Sequence, residues 1–273
     1  MDFGRSHNWK GITSERAFKA ATISCLVLLT FFFVGIVLSL VTYTNWETMI
    51  STLVSPEIIF AIKLTVITAT ISAALAILAA IPAAYAISKF NFPGKSVVDT
   101  ILDLPIVISP IALGAALLVF FNTPLGMIIE VKIARFVFEV PGIILAQFTV
   151  ITALAIRLLK STFDGIDPRY EQVSRTLGCS KLKAFMKVTL PLAKDGLIAS
   201  GILTWARAIG EFGATVTLAG ATKMKTETLP VAIYLNLAAA DVEKAVAVIF
   251  ILIALSLVAL ISLRKISTTR YHL

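Results

Sequence analysis

The sequence predicts an all-α polytopic membrane protein with six transmembrane helices, and three observations carry that prediction. The 273 residues are 58% hydrophobic and only 15% charged, where a soluble domain carries roughly a quarter charged residues. Mean hydropathy is +0.93, an apolar excess that calls for lipid rather than a larger soluble core. The apolar residues fall in six separated runs, each near or above the roughly 20 residues a helix needs to cross the hydrocarbon.

In chain order, residues 1–16 are polar, which argues against a cleaved signal peptide. The first run, 18–42, is long enough to span. The second, 58–88, is long enough to tilt, and Pro82 is expected to kink it where neighbouring helices satisfy the freed carbonyl. Runs 101–121, 141–159, 196–220 and 245–263 follow. The chain thus divides into 1–57 (tail, first span and external loop), a core over 58–263, and a cytoplasmic tail over 264–273. No repeat or low-complexity tract interrupts it.

Orientation follows from the basic residues. With the N-terminus inside, the inner segments hold Arg5, Lys10, Arg16, Lys19, Lys89, Lys95, Arg157, Lys160, Arg169, Arg175, Lys181, Lys183, Lys187, Lys194, Arg264, Lys265 and Arg270. The outer loops hold only Lys132, Arg135, Lys223, Lys225 and Lys244. This bias places both termini and the segment 171–191 in the cytoplasm of a multi-pass protein of the cell membrane. The net charge of +8 is mostly this asymmetry, and anionic lipid explains it better than nucleic acid does. Cys25 and Cys179 are too few and too far apart for a disulfide framework, and no cluster suggests a metal. His7 and His272 lie in the polar tails, so no intramembrane histidine is available as base or ligand.

The inner segment "EQVSRTLGCSKLKAFMKVTLP" (171–191) differs from its apolar surroundings. Asp167 and Pro168 read as an N-cap and a first helical position. That helix should run to about Leu177 and stop at Gly178, which takes the left-handed conformation at low cost. Ser180 can cap a second helix with Leu182, Phe185 and Met186 on one face and Lys181, Lys183 and Lys187 on the other. Pro191 should end it. The expected result is a compact knob of two short helices. It can be an amphipathic element resting on head groups or a docking element for a cytoplasmic partner.

This stretch resembles the cytoplasmic EAA loop of type I ABC-importer permeases, whose pattern runs E-A-A, three residues, G, nine residues, I-x-L-P. Gly178 falls at the glycine, and Val188-Thr189-Leu190-Pro191 matches the end at the same spacing. The triad departs from the pattern, reading Gln172-Val173-Ser174 with Glu171 one place early, and valine replaces isoleucine. The resemblance covers roughly 58–263 and makes 160–195 the coupling loop. It implies contact of Glu171, Gln172, Val173, Ser174, Arg175, Thr176, Leu177, Gly178, Cys179 and Ser180, with Pro191 closing the loop, against a separate ATPase subunit. It further implies two copies of this chain, two ATPase subunits and an external binding protein. The chain has no G-x-x-x-x-G-K-[ST] phosphate loop, so it is not the ATPase. No cofactor is expected on it, ATP and Mg belonging to the partner.

The fifth run reads "TWARAIGEFGATVTLAG" and places Arg207 and Glu211 one helical turn apart inside the membrane. Such charges usually mark a pathway or a pairing, and an i,i+4 pair can also satisfy itself. Thr215 and Thr217 are expected on the same helix, and Gly210 and Gly213 permit close helix approach. Together with "DLPIVISP" in the third run and "TETLPVAIY" at 226–234, this run is similar to permeases for molybdate, tungstate and sulfate. The R-A-I-G-E-F-G-A-T run with its following T-L-P resembles the molybdate/tungstate branch more than the sulfate branch.

A tetrahedral divalent oxyanion needs hydroxyls, backbone donors and a guanidinium along its path, and no covalent step. Thr215, Thr217 and Ser109 can line such a path with Arg207 and Glu211, or make ordinary interhelical hydrogen bonds. The external stretch 222–225 can receive the binding protein or be a solvated loop. A membrane hydrolase or transferase would need a nucleophile with a base or a metal motif, and neither is present. No catalytic residue is expected. A channel or ion-coupled transporter can use Arg207 and Glu211, but it does not need the glycine and Leu-Pro spacing of the inner loop.

Overall fold

A computed structural model of the chain describes residues 9–268. Arg5, His7, Arg270 and His272 lie outside the described residues, as do the side chains of Lys10, Arg264 and Lys265.

Among the described residues the chain is helical, with no strand. α1 (Trp9–Leu40) leads through a short turn to α2 (Trp46–Val54) and α3 (Pro56–Lys89). The Asn45 side chain accepts the Thr48 amide at 2.7 Å to start α2, and Ser55 followed by Pro56 starts α3. Next come α4 (Lys95–Val107), α5 (Pro110–Phe121), α6 (Pro124–Lys132) and α7 (Val140–Asp164). The polar segment after α7 forms α8 (Arg169–Thr176), α9 (Lys181–Ala184) and α10 (Leu190–Leu192). α11 (Lys194–Ile209), α12 (Gly213–Ala219), α13 (Leu229–Ala238) and α14 (Val242–Thr268) complete the chain. The start of the predicted tail at 264 therefore continues the last helix.

The core is the packing of α3, α7 and α11. The α3 stripe is small: Ala69, Ala73, Ala76, Ala80 and Ala84, buried against Ile151, Ala155, Ile156 and Leu159 of α7 and Ala208 of α11. In lipid no hydrophobic force drives helices together, so close backbone approach over small residues supplies the packing. Phe163, and Phe185 from the 171–191 segment, plug the end of this core, the first edge-on and the second tilted against Tyr85 at 5.7 and 4.6 Å between ring centres. By contrast, α1 stands off the bundle, and none of its membrane-crossing stretch is buried.

Two predicted spans are not continuous helices. The third is broken into α4 and α5, which meet at 110°. Pro110 disfavours helical backbone at Ser109, which sits at φ −62°, ψ 142° and accepts the Ala112 amide on its hydroxyl, capping α5. The fifth is broken between α11 and α12, where Gly210 ends one helix and Phe212 (φ −120°, ψ −53°) precedes the next. Thr215 and Thr217 thus lie on α12, apart from the helix that carries Arg207. Among the described residues four stretches are continuous and apolar enough to cross a membrane, namely Glu15–Tyr43, Pro56–Lys89, Val140–Asp164 and Val242–Ser262. The bent α4–α5 pair supplies a fifth by the same measure. Pro82 lies within α3 without interrupting it.

Candidate functional site: an exposed knob and a buried helix break

The knob forms much as its residues dictate. The Asp167 carboxylate accepts the Arg169 amide at 2.9 Å and opens α8. At the other end Gly178 adopts φ +89°. The Gly178 amide donates to the Arg175 carbonyl at 3.0 Å and the Cys179 amide to the Ser174 carbonyl at 3.1 Å, the paired closure of a Schellman motif. Ser180 accepts the Lys183 amide at 3.3 Å and starts α9. Ser174 and Thr176 spend their hydroxyls on the carbonyls of Glu171 and Val173 within α8.

Two details of the knob differ from expectation. Leu182 and Met186 stay exposed while Phe185 turns into the core, because only the root of the knob reaches the bundle. Pro191 does not end the helix. Residues Phe185–Thr189 form a π turn in which the Leu190 amide reaches back to the Phe185 carbonyl, and this wider turn accommodates the proline's missing N–H. The chain instead breaks at Ala193 (ψ −7°).

The tip of the knob is apolar. Leu177 is 81% and Leu182 71% exposed, with Tyr170, Val173 and Met186 also exposed nearby in sequence. Glu171 points the other way, accepting the Tyr85 hydroxyl at 2.9 Å and the Thr189 hydroxyl. It ties α8 to α3 and to the π turn. Between knob and bundle lies a cleft of about 440 Å³ lined by Gln172, Arg175, Lys181, Lys89 and Tyr85 among others.

The second feature is the break between α11 and α12. Arg207 pairs with Glu211 at 2.8 Å, the carboxylate 1% exposed and the guanidinium side chain 39% exposed. The other Glu211 oxygen accepts the Ala214 amide at 3.0 Å and so starts α12. The pair predicted as one turn of a continuous helix is therefore also the joint of a broken one. α5 and α12 meet at their beginnings: a Cβ on Gly213 would stand 3.0 Å from the Ile111 amide, and one on Gly114 would fall 2.7 Å from the Ala214 carbonyl. Ser109 caps α5 beside this contact. Thr217 donates to the Gly213 carbonyl at 2.7 Å. The buried Thr215 hydroxyl has no protein partner among the described residues.

Sequence reasoning missed several polar residues of this region. Gln147 of α7 is fully buried and bonds Ser72 of α3 and the Ala208 carbonyl of α11. Arg157 of α7 clasps Asp99 and Asp103 of α4. A glutamine inside the apolar run 141–159 is itself a signal, since amides in lipid must find partners. On the opposite loop Lys225 pairs with Glu139 at 2.6 Å, and the buried Glu227 accepts the Met224 amide at 3.0 Å. Leu229 of the T-L-P stretch donates its amide to Thr65 at 2.8 Å.

Known proteins align with this architecture. Residues 73–269 match the family of binding-protein-dependent transport system inner membrane components. The chain is 34% identical over 208 residues to a protein of Haloferax volcanii named "Probable molybdenum ABC transporter permease protein", covering 76% of this chain and 75% of that one. It is 34% identical over 183 residues to the molybdenum transport system permease protein ModB of Escherichia coli K12, covering 65% and 80%. The fold is similar to a chain in the crystal structure of a bacterial alginate ABC transporter in complex with its periplasmic protein. There the TM-score is 0.74 at 19% identity, over 95% of this chain and 96% of that one. The chain is a multi-pass membrane protein that belongs to the family of binding-protein-dependent ABC transport permeases.

Proposed function

We propose that this chain is the membrane-spanning subunit of an ATP-driven importer for a tetrahedral oxyanion, molybdate or tungstate, handed over by an external binding protein. The observation that carries the reading is the knob: an apolar tip on a fixed glycine bend, rooted in the core through Phe185 and Glu171. An apolar tip that caps a charged segment suits a protein groove better than water. Residues 172–180, with Glu171 and Pro191 at the root, form the surface for a separate ATPase subunit that supplies ATP and Mg. The basic-residue asymmetry supports a cytoplasmic knob and cytoplasmic termini. The unburied α1 supports contact with lipid or with a second copy, two copies enclosing one path.

The names of the similar proteins in Haloferax volcanii and Escherichia coli support the molybdate reading. A sulfate transport system permease protein of Synechococcus elongatus is 36% identical over 172 residues, so sulfate is the competing cargo. The path runs by the helix break, where Arg207 keeps an open face and the capped start of α5 at Ser109 abuts α12, with the buried Thr215 hydroxyl, unpartnered among the described residues, behind them. Helix beginnings carry partial positive charge and suit an anion. Thr217 is close by but spends its hydrogen on the backbone. Contacts of this weak kind let the anion leave. ATP binding closes the ATPase pair and moves both knobs, the spans swing outward to accept the anion, and hydrolysis resets them.

The test is uptake into proteoliposomes holding this chain, its cognate ATPase and the external binding protein. Labelled molybdate, tungstate and sulfate are compared with and without ATP. Uptake of the first two with little sulfate is the expected result. Sulfate uptake alone overturns the cargo, and equal uptake without the ATPase overturns the importer reading.

A further inference from the structure

We propose that Gln147 is a positioning residue for the Arg207–Glu211 pair: its buried amide holds the break between α11 and α12 open. A continuous helix would close the Ala208 carbonyl on the amide of residue 212. Here the chain turns at Gly210 and Phe212, and the Glu211 amide closes on Ala208 instead, at 3.1 Å. The carbonyl thus has its backbone donor one residue early, with the Gly210 amide also directed at it, and its second lone pair can accept a further bond. The Gln147 Nε2 group supplies that bond, donating to the Ala208 carbonyl at 3.3 Å.

The other end of the amide is fixed as well. Ser72 of α3 donates to Gln147 Oε1 at 3.0 Å, the hydroxyl lying at the same distance from the Ile144 carbonyl. One side chain thus ties α3, α7 and α11 together where α11 stops. Ala208 lies between Arg207 and Glu211, so the carbonyl that Gln147 holds sets the backbone geometry of both. Glu211 depends on that geometry twice, once for its ion pair and once for its cap on Ala214.

The inference rests on the permease reading, and its first test is independent of that reading. Hydrogen–deuterium exchange is measured on the assembled complex in nanodiscs, for the natural chain and for Gln147→Met, which keeps the volume and removes the amide. The expected result is an exchange rate across 209–214 changed at least fivefold, with 56–89 and 140–160 altered less than twofold. Unchanged exchange at 209–214 overturns the proposal, and so does a uniform change across all three helices, which would mean general packing. Gln147→Asn keeps the amide but is too short to span Ser72 and Ala208 together. It serves if the methionine variant does not assemble, with a smaller change of the same pattern expected and no change again overturning the idea. The second readout is ATP-dependent oxyanion uptake, in which Gln147→Met and Arg207→Gln are combined. Action through Arg207 predicts at least a tenfold loss from Gln147→Met alone and less than twofold in the Arg207→Gln background. Equal losses in both backgrounds overturn the positioning role.

Discussion

Two of the glycines at which helices are interrupted, Gly178 and Gly210, are held in different ways. At Gly178 the bend is exposed. A Cβ there would meet nothing within 4 Å, and the turn is held by two backbone hydrogen bonds. At Gly210–Phe212 the glycine is exposed too and a Cβ on it would meet nothing within 4 Å, but its neighbour Glu211 is buried and the break is cross-linked by the Arg207–Glu211 pair, the Glu211 cap on Ala214 and the Gln147 amide. The knob is thus a stiff lever whose tip is free to meet a partner. The break is a fixed joint whose shape depends on polar groups that lipid would not tolerate unpaired. A substitution at the first acts through backbone conformation, and one at the second through unmet charge or lost space.

That contrast can be broken most severely at Arg207. Arg207→Ala leaves the Glu211 carboxylate, 1% exposed, without its ion partner, at a cost of about 3–5 kcal/mol where such a pair is fully buried and toward the lower figure here. Thermal unfolding of the purified complex should fall accordingly. Glu211→Gln combined with Arg207→Ala should recover part of the loss, and additivity of the two would remove the coupling.

Next in size is the contact that holds the joint against α5. Gly114→Ala sets a Cβ 2.7 Å from the Ala214 carbonyl and 1.9 Å from the Thr217 hydroxyl. Overpacking of this kind costs about 1–3 kcal/mol, read as a lower unfolding midpoint. A smaller effect on stability is expected at the knob. Gly178→Ala meets no neighbour, and only the positive φ resists it, at about 1–2 kcal/mol. Its signature is a loss of ATP-coupled uptake out of proportion to the stability change. Gly178→Val should be worse on both counts, and full uptake by the valine variant would dissociate the bend from coupling.

Much of this was legible in the sequence. The knob was readable because its signals are local: Asp167 and Ser180 as caps, Gly178 as terminator and Leu-Pro at the root act on their own neighbours within a few residues. The Arg207–Glu211 contact was readable for the same reason. The breaks in the third and fifth spans were not, since hydropathy is blind to a Ser109-Pro110 turn inside an apolar run. At Gly210 the conformation is fixed by Gln147, 63 residues earlier in the sequence. The inward turn of Phe185 and the role of Glu171 likewise depend on Tyr85 and Thr189, which periodicity does not connect to the loop.

The most direct test of the account places a charge on the knob's tip, where the fold has nothing to lose. Leu177→Asp and Leu182→Asp alter side chains that are 81% and 71% exposed, so each should leave the unfolding free energy within about 0.5 kcal/mol of the natural chain's. The measurement is ATP-dependent molybdate uptake by the reconstituted complex, together with the amount of ATPase that co-purifies with the permease. Both should fall at least tenfold while the permease stays folded. Undiminished uptake with the ATPase still bound would contradict it, because the energy would then enter the permease through some other surface.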